Sequence, residues 1–395
     1  MSAGLVAAGF EPVAEAFDAT IADCGGLGAA LSVRVGGRTV VDRWGGVMDA
    51  RTGEPWSDRT LSVIFSATKG LLSIMAAQLV ADGRLDYGAP VTRYWPGLGA
   101  RLHPVPTVGD LLAHRAGLSA PREDLTLEQL LDWDGMIRVL ETQDPLWAPG
   151  SAHAYHAITF GWVVGELIRR VTAKPLGEAF RAMIADPLHA EAWIGLPPAE
   201  DARVARLDAK PVPAAAPTAS TPQGAEWEER AMTMGGALPP RLIDGDAGFT
   251  DPRLWHAEIG GAGGIATAHA LATIWSATVI ETDGVRLLGD EVLGDATMLR
   301  STGTQAFGSP SPHSWGAGFM VPAGTSQYLG PRSFGHDGAG GQIAFADAAH
   351  RVGFAYLTNW MGDDADVRGT AVVEALRTVL AARTPPQPGV EEPAP

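Results

Sequence analysis

Ser66 and Lys69 stand three residues apart in Phe65-Ser66-Ala67-Thr68-Lys69, and that pair can do nucleophilic chemistry. A serine hydroxyl is a weak nucleophile until a neighbouring base takes its proton. The run Leu61 to Phe65 before it is apolar and strand-like, and the residues from Ser66 to about Ala81 have helical spacing. Positions i and i+3 share a helix face, so hydroxyl and amine can meet. The positive end of the helix dipole favours an alkoxide at Ser66 and disfavours a charged lysine. The chain has only three lysines, Lys69, Lys174 and Lys210, against 26 arginines. Arginine meets most needs for positive charge, but it does not deprotonate and cannot be a base. Leu71, Leu72, Ile74, Met75, Ala76, Ala77, Leu79 and Val80 cover the following helix almost all round. Such a helix is buried, and a lysine at its start must be paired or neutral.

A site for acyl transfer also needs a proton shuttle, an oxyanion hole and a groove. Tyr155 is one of five tyrosines and follows the polar Pro149-Gly150 loop. A phenol beside a neutral lysine can pass protons between nucleophile and leaving group. The stretch Ser333 to Gly341 is rich in glycine, which lets backbone approach a ligand closely. One N–H from this stretch and that of Ser66 could form the two halves of an oxyanion hole. His336, in the same stretch, could line the cleft. No serine lies in Gly-x-Ser-x-Gly and no His-Glu-x-x-His occurs, so an α/β-hydrolase elbow and a zinc protease are disfavoured. The run Gly260-Gly261-Ala262-Gly263-Gly264 lacks the Lys-Ser/Thr of a phosphate loop and reads as a turn leading into a helix.

The elements that must position these residues follow from periodicity. A helix is expected over Phe10 to Asp23, then strands Ala29 to Val35 and Thr39 to Trp44 joined by a Gly36-Gly37 turn. Helical segments follow at Val108 to His114, Leu127 to Leu140, Ala157 to Val171, Leu176 to Ile184 and Ala266 to Ile280. Ala209 to Gln223 reads as a long surface loop. Gln342 to Ala346 and Val352 to Thr358 read as a hairpin, with a helix over Ala365 to Ala382 after it. The expected organisation is a discontinuous sheet domain, residues 1–84 and 291–395 with a frayed tail at 384–395, around a mostly helical domain at 85–290. A cleft between two such parts is a usual ligand site.

Composition narrows the partners. Apolar residues make up 46% and charged residues 19%, enough for a substantial core. The net charge of -16 argues against nucleic acid and against an anionic membrane surface. The single cysteine, Cys24, excludes an intramolecular disulfide and a thiolate metal cluster. Met1 to Phe17 does not read as a secretory signal, and no transmembrane run occurs, so the expected location is the cytoplasm. No metal or cofactor is expected, and oligomeric state is open.

These residues together resemble the serine β-lactamase and penicillin-binding-protein superfamily, in its class C-like branch that includes family VIII carboxylesterases. Ser66-Ala67-Thr68-Lys69 is similar to the first motif, carrying nucleophile and base. Thr107 to Leu118 is similar to a structural helix and turn, and Pro149-Gly150-Ser151 leads to a second motif at Tyr155. His336-Asp337-Gly338 looks like a variant third motif, where related β-lactamases have Lys-Thr-Gly. The resemblance implies an α+β fold, a helix-sheet-helix sandwich with an antiparallel sheet plus a helical domain. It implies acylation of Ser66, proton transfer through Lys69 and Tyr155, and oxyanion donors at the N–H groups of Ser66 and Ala339. His336, Gly338, His156 and Trp315 are expected along the substrate side, while Trp147, Trp227 and Trp315 either shape the pocket or simply pack. Two departures point away from β-lactams: Tyr155-His156-Ala157 lacks the Asn of Tyr-x-Asn, and His336 replaces the third-motif lysine. The expectation is an esterase for short-chain or moderately bulky carboxylic esters. An amidase, a weak β-lactamase or an acyltransferase on the same site is the alternative, and a silent binding protein is a third.

Overall fold

The computed structural model describes residues 2–23, 25–209, 222–322, 328–362 and 366–383. Cys24, most of the Ala209 to Gln223 stretch and the 384–395 tail lie outside the described residues. Both ends of the chain build one eight-stranded antiparallel sheet. Its order is Ala3–Val6, Arg38–Gly45, Ala29–Val35, Val352–Thr358, Ile343–Asp347, Ser333–Gly335, Met320–Val321 and Ser314–Trp315. The two halves meet at the centre, where Ala29–Val35 pairs with Val352–Thr358 in register from Ala29↔Thr358 to Val35↔Val352. Val352–Thr358 is buried along its whole length and Ala29–Val35 as far as Arg34, so both read as near-continuous apolar runs.

Helices cover both faces of this sheet. The Glu11–Asp23 and Arg368–Arg383 helices lie together on one face. Phe10, Val13, Phe17, Val372 and Leu376 form a core there with Phe345, Phe354 and Tyr356. The Ala268–Val279 helix packs on the other face against the central strands. It falls in the stretch read as helical from sequence. Its residues from Ala270 to Val279 are all buried, so it has a face for the sheet and another for the rest of the core.

Several elements differ in detail from their sequence reading. Leu127 to Leu140 is two helices, Leu127–Leu131 and Trp133–Thr142, because Asp132 between them is extended. Thr126 and Gln129 close a capping box at the first of them. Leu176 to Ile184 starts as an α-helix at Leu176–Phe180 and widens to a π-helical turn at Arg181–Ala185. The second helix of the Tyr155 region starts at Phe160 rather than Ala157. Pro222–Thr233 is a helix, carrying Trp227, where periodicity gave no element. The strand read at Leu61 to Phe65 is Ser62–Phe65, and its two partners in a second, antiparallel sheet, Gly264–Ala266 and Ala192–Ile194, went unread. Strands of three or four residues are too short to show a period. Among the described residues no helix is long and apolar enough to cross a membrane.

Candidate active site

Ser66 sits where the short strand Ser62–Phe65 turns into the Ala67–Ala81 helix. The turn is made at Phe65, which is fully buried and has φ +45. That left-handed backbone costs a bulky residue on the order of 1–3 kcal/mol and persists only where the surroundings impose it. Here Phe65 pairs across to Gly264, and its ring meets Phe249 edge-on with centroids 5.3 Å apart. Serine at a helix start normally spends its hydroxyl as an N-cap acceptor. Ser66 does not: its own backbone is already helical at φ -65, ψ -13, and no side-chain capping bond forms. The hydroxyl is left for other partners.

Lys69 is one of them. Its Nζ lies 2.9 Å from Ser66 Oγ, 2.6 Å from the Ala157 carbonyl oxygen and 2.6 Å from the Gly261 carbonyl oxygen. The side chain is wholly buried, and burial holds its pKa well below the usual lysine value of 10.5. A neutral amine has two N–H donors and one lone pair. Two carbonyls can accept only from the two N–H groups, which leaves the lone pair facing the Ser66 hydroxyl. An ammonium could donate to all three oxygens, so it is the burial of the amine, which lowers its pKa, that favours the base over the cation.

Both carbonyls are presented by close backbone approach. A Cβ built on Gly161 would fall 2.2 Å from the Gly261 amide nitrogen, and one on Gly261 would fall 2.3 Å from the Ile158 carbonyl oxygen. The Gly260 to Gly264 run is thus a contact between two backbones rather than a free turn, and a strand intervenes before the Ala268 helix. Sequence reading flagged the glycines and missed the carbonyl. The signal was the density of glycine, which marks close approach as well as turning.

Tyr155 completes the polar set. Burial raises the pKa of its phenol above the ordinary 10, and the nearby Ser66 side chain pulls it back in part. Lys69 Nζ lies 4.9 Å from the centre of its ring. The ring is held by Trp315, stacked at 5.4 Å with planes 9° apart, and by His114 edge-on at 5.1 Å. Its backbone N–H donates to Gln305 Oε1 at 2.9 Å. Neither His114 nor Gln305 was expected as a support. Histidine and glutamine carry no periodic signal, and both contacts are long-range in sequence.

Three of the four residues expected along the substrate side are enclosed instead. His156 donates from Nδ1 to the Ala154 carbonyl at 2.8 Å and accepts the Leu118 N–H at Nε2, 3.2 Å away. Both ring nitrogens are used internally, and burial lowers its pKa to about 4. His336 donates from Nδ1 to the Asp337 carbonyl at 2.8 Å, is fully buried, and has its pKa pushed well below 6.5 by that burial. Trp315 is buried against the face of Tyr155. These side chains brace the site from behind.

Gly338 acts through its missing side chain. A Cβ there would fall 2.3 Å from the Ile64 carbonyl oxygen, so the Gly338 backbone lies directly against the strand leading to Ser66. Its own N–H is used, donating to Gln342 O at 2.9 Å. The N–H groups of Ser66 and Ala339 have no acceptor among the described residues. Gly338→Ala is expected to push this strand away and to lower kcat by about 10²–10³-fold, the usual effect of losing one oxyanion donor. Steady-state kinetics with p-nitrophenyl acetate checks it. A Gly338→Ala protein with unchanged kcat would separate this strand from the chemistry.

A serine whose hydroxyl is free of capping, a buried lysine bonded to it and a tyrosine beside both define one constellation. The family model for beta-lactamase matches residues 13–377, which include all three. The chain belongs to the beta-lactamase family. Within this family it is similar to the Esterase/beta-lactamase LipL of Mycobacterium tuberculosis (strain ATCC 25618 / H37Rv), at 35% identity over 343 residues. That match covers 84% of this chain and 77% of the relative. Among solved structures, a family VIII carboxylesterase superposes with a TM-score of 0.86 at 32% identity, covering 96% of this chain and all of that one. A penicillin-binding protein homolog from Caulobacter crescentus superposes with a TM-score of 0.84 at 33% identity, covering 96% of this chain and all of that one. The α+β sandwich expected from the resemblance is the fold observed.

Proposed function

We propose that this beta-lactamase family member is a serine carboxylesterase that cleaves short-chain or moderately bulky esters through an acyl-enzyme on Ser66. The observation that carries the reading is the wholly buried Lys69 amine, 2.9 Å from Ser66 Oγ and 2.6 Å from each of two carbonyl oxygens: once neutral, with its two N–H groups given to the carbonyls, its lone pair is left for the Ser66 proton. In the first step Lys69 takes the Ser66 proton as Oγ attacks the ester carbonyl. The oxyanion is met by the N–H groups of Ser66 and Ala339. The C–O bond to the alcohol then breaks, and the Tyr155 phenol gives the departing alkoxide a proton, recovering one from Lys69. Water attacks the acyl-enzyme along the reverse relay and releases the acid and Ser66.

Two observations favour esters over β-lactams. The position where related β-lactamases hold a cationic lysine is His336, buried and neutral, so no positive charge meets a substrate carboxylate. The position of the second-motif asparagine is Ala157, whose carbonyl is spent on Lys69. The family VIII carboxylesterase supports the same choice, while LipL is named for both activities. The test is turnover of p-nitrophenyl acetate and butyrate beside nitrocefin, with fluorophosphonate labelling followed by intact mass and peptide mapping. Ester turnover with a single adduct on Ser66 and little nitrocefin turnover is expected. Folded protein that neither reacts with the probe nor cleaves an ester rejects the reading.

A further inference from the structure

A cavity of about 380 Å³ opens beside the Tyr155 segment, lined by Leu146, Trp147, Trp227, Ala306 and Phe307 with Gly224 and Gly308. No charged side chain lines it, in a chain of net charge -16. Trp147 and Phe307 meet edge-to-face at 5.6 Å and 84°, and Trp147 Nε1 is already used, donating to Ala152 O at 3.0 Å. The walls therefore offer hydrocarbon and ring faces. Two guanidinium groups, Arg122 and Arg230, lie 5.7 and 5.8 Å from the Trp227 ring and help hold it.

The cavity is tied to the catalytic tyrosine at three points. Trp147 packs edge-on against His156, centroids 5.9 Å apart. The Tyr155 N–H donates to Gln305, and the Ala306 N–H donates to the His153 carbonyl at 2.8 Å, so the segment bearing Phe307 is laced to the segment bearing Tyr155. A volume near 380 Å³ is at the small end of the range for ligand sites, roughly 300–1,000 Å³, and suits one ring or a medium alkyl group.

Resting on the esterase reading, we infer that this cavity binds the alcohol part of the substrate and that the preferred substrates are esters of aryl-bearing or medium-chain alcohols. Tyr155 delivers the proton to the departing alkoxide, so the alcohol lies on the Tyr155 side. The acyl carbonyl oxygen points the other way, towards the N–H groups of Ser66 and Ala339. A pocket fastened to the Tyr155 segment therefore meets the alcohol.

Two ester series test this. One holds acetate constant and varies the alcohol from ethyl to hexyl and benzyl, and the other holds ethanol constant and varies the acyl group from acetyl to hexanoyl and phenylacetyl. Wild type is expected to favour benzyl over ethyl acetate by at least about tenfold in kcat/KM, the scale on which apolar pockets discriminate. Phe307→Ala and Trp227→Ala are expected to erase most of that preference, read as the benzyl-to-ethyl ratio of kcat/KM. Phe307→Leu is expected to restore part of it, and thermal melts of each variant confirm folding. Unchanged alcohol preference in folded Phe307→Ala and Trp227→Ala proteins overturns the inference, as does a change confined to the acyl series. If wild type cleaves no ester in either series, the esterase reading itself fails. Turnover of ethyl acetate without any alcohol preference removes this inference alone.

Discussion

Replacing Ser66 with alanine is expected to lower kcat for p-nitrophenyl butyrate by about 10⁴–10⁶-fold, the scale seen when an enzyme loses its nucleophile outright. The burst of p-nitrophenolate from acylation should vanish with it, and fluorophosphonate should leave no adduct. The fold should hardly notice. Ser66 Oγ makes no helix-capping bond, and its loss removes only its contacts to Lys69 and Tyr155. A change of about 1 kcal/mol covers such a loss. A large activity effect with an almost unmoved urea midpoint separates a chemical role from a structural one. Full ester turnover by the alanine variant would mean that another group does the chemistry.

Lys69→Arg is expected to lower kcat/KM for the same ester by about 10²–10⁴-fold, the contribution of a positioned base. The guanidinium is always charged and has no lone pair to offer Ser66. The pH profile sharpens the expectation. A base must be unprotonated, so wild-type kcat/KM should rise as pH rises through the Lys69 titration, which burial places well below 10.5. Tyr155, raised by burial, stays protonated across that range and remains an acid. No histidine of the site should contribute a limb near its ordinary value of 6.5: His156 is held at about 4, and His114 and His336 are lowered well below 6.5, each by burial. The measurement is kcat/KM against pH for wild type and Lys69→Arg. An inflection near 6.5 that survives in the arginine variant would point to a histidine base instead.

The chemistry was legible in the sequence because its residues are rare or contiguous. Ser66 and Lys69 stand in one short segment, and lysine is scarce in this chain. The hairpin at Ile343–Asp347 and Val352–Thr358 and the helix after Ser66 also read directly, since both are long enough to show a period. What stayed hidden comes from backbone or from distant pairs. The Gly261 and Ala157 carbonyls carry no side-chain signature, although they orient Lys69. The left-handed Phe65 is invisible by residue type, because bulky residues rarely adopt that backbone. His336 and Trp315 read as groove residues because their motif lies near the site. Burial behind Tyr155, which sequence does not report, makes them supports.

The burial of Lys69 also bears on how the protein withstands heat. In the unfolded chain this lysine keeps its proton up to about pH 10.5, whereas the folded site releases it at a lower pH. Over that interval the unfolded state binds more protons, so stability rises with pH. At neutral pH, housing an amine in a dry site therefore weakens the fold. Lys69→Met, of similar length and apolar, does not titrate, so the melting temperature of this inactive variant relative to wild type should fall as the pH is raised from 7 towards 10.5. The catalytic centre is then a place where resistance to unfolding has been given up for reactivity.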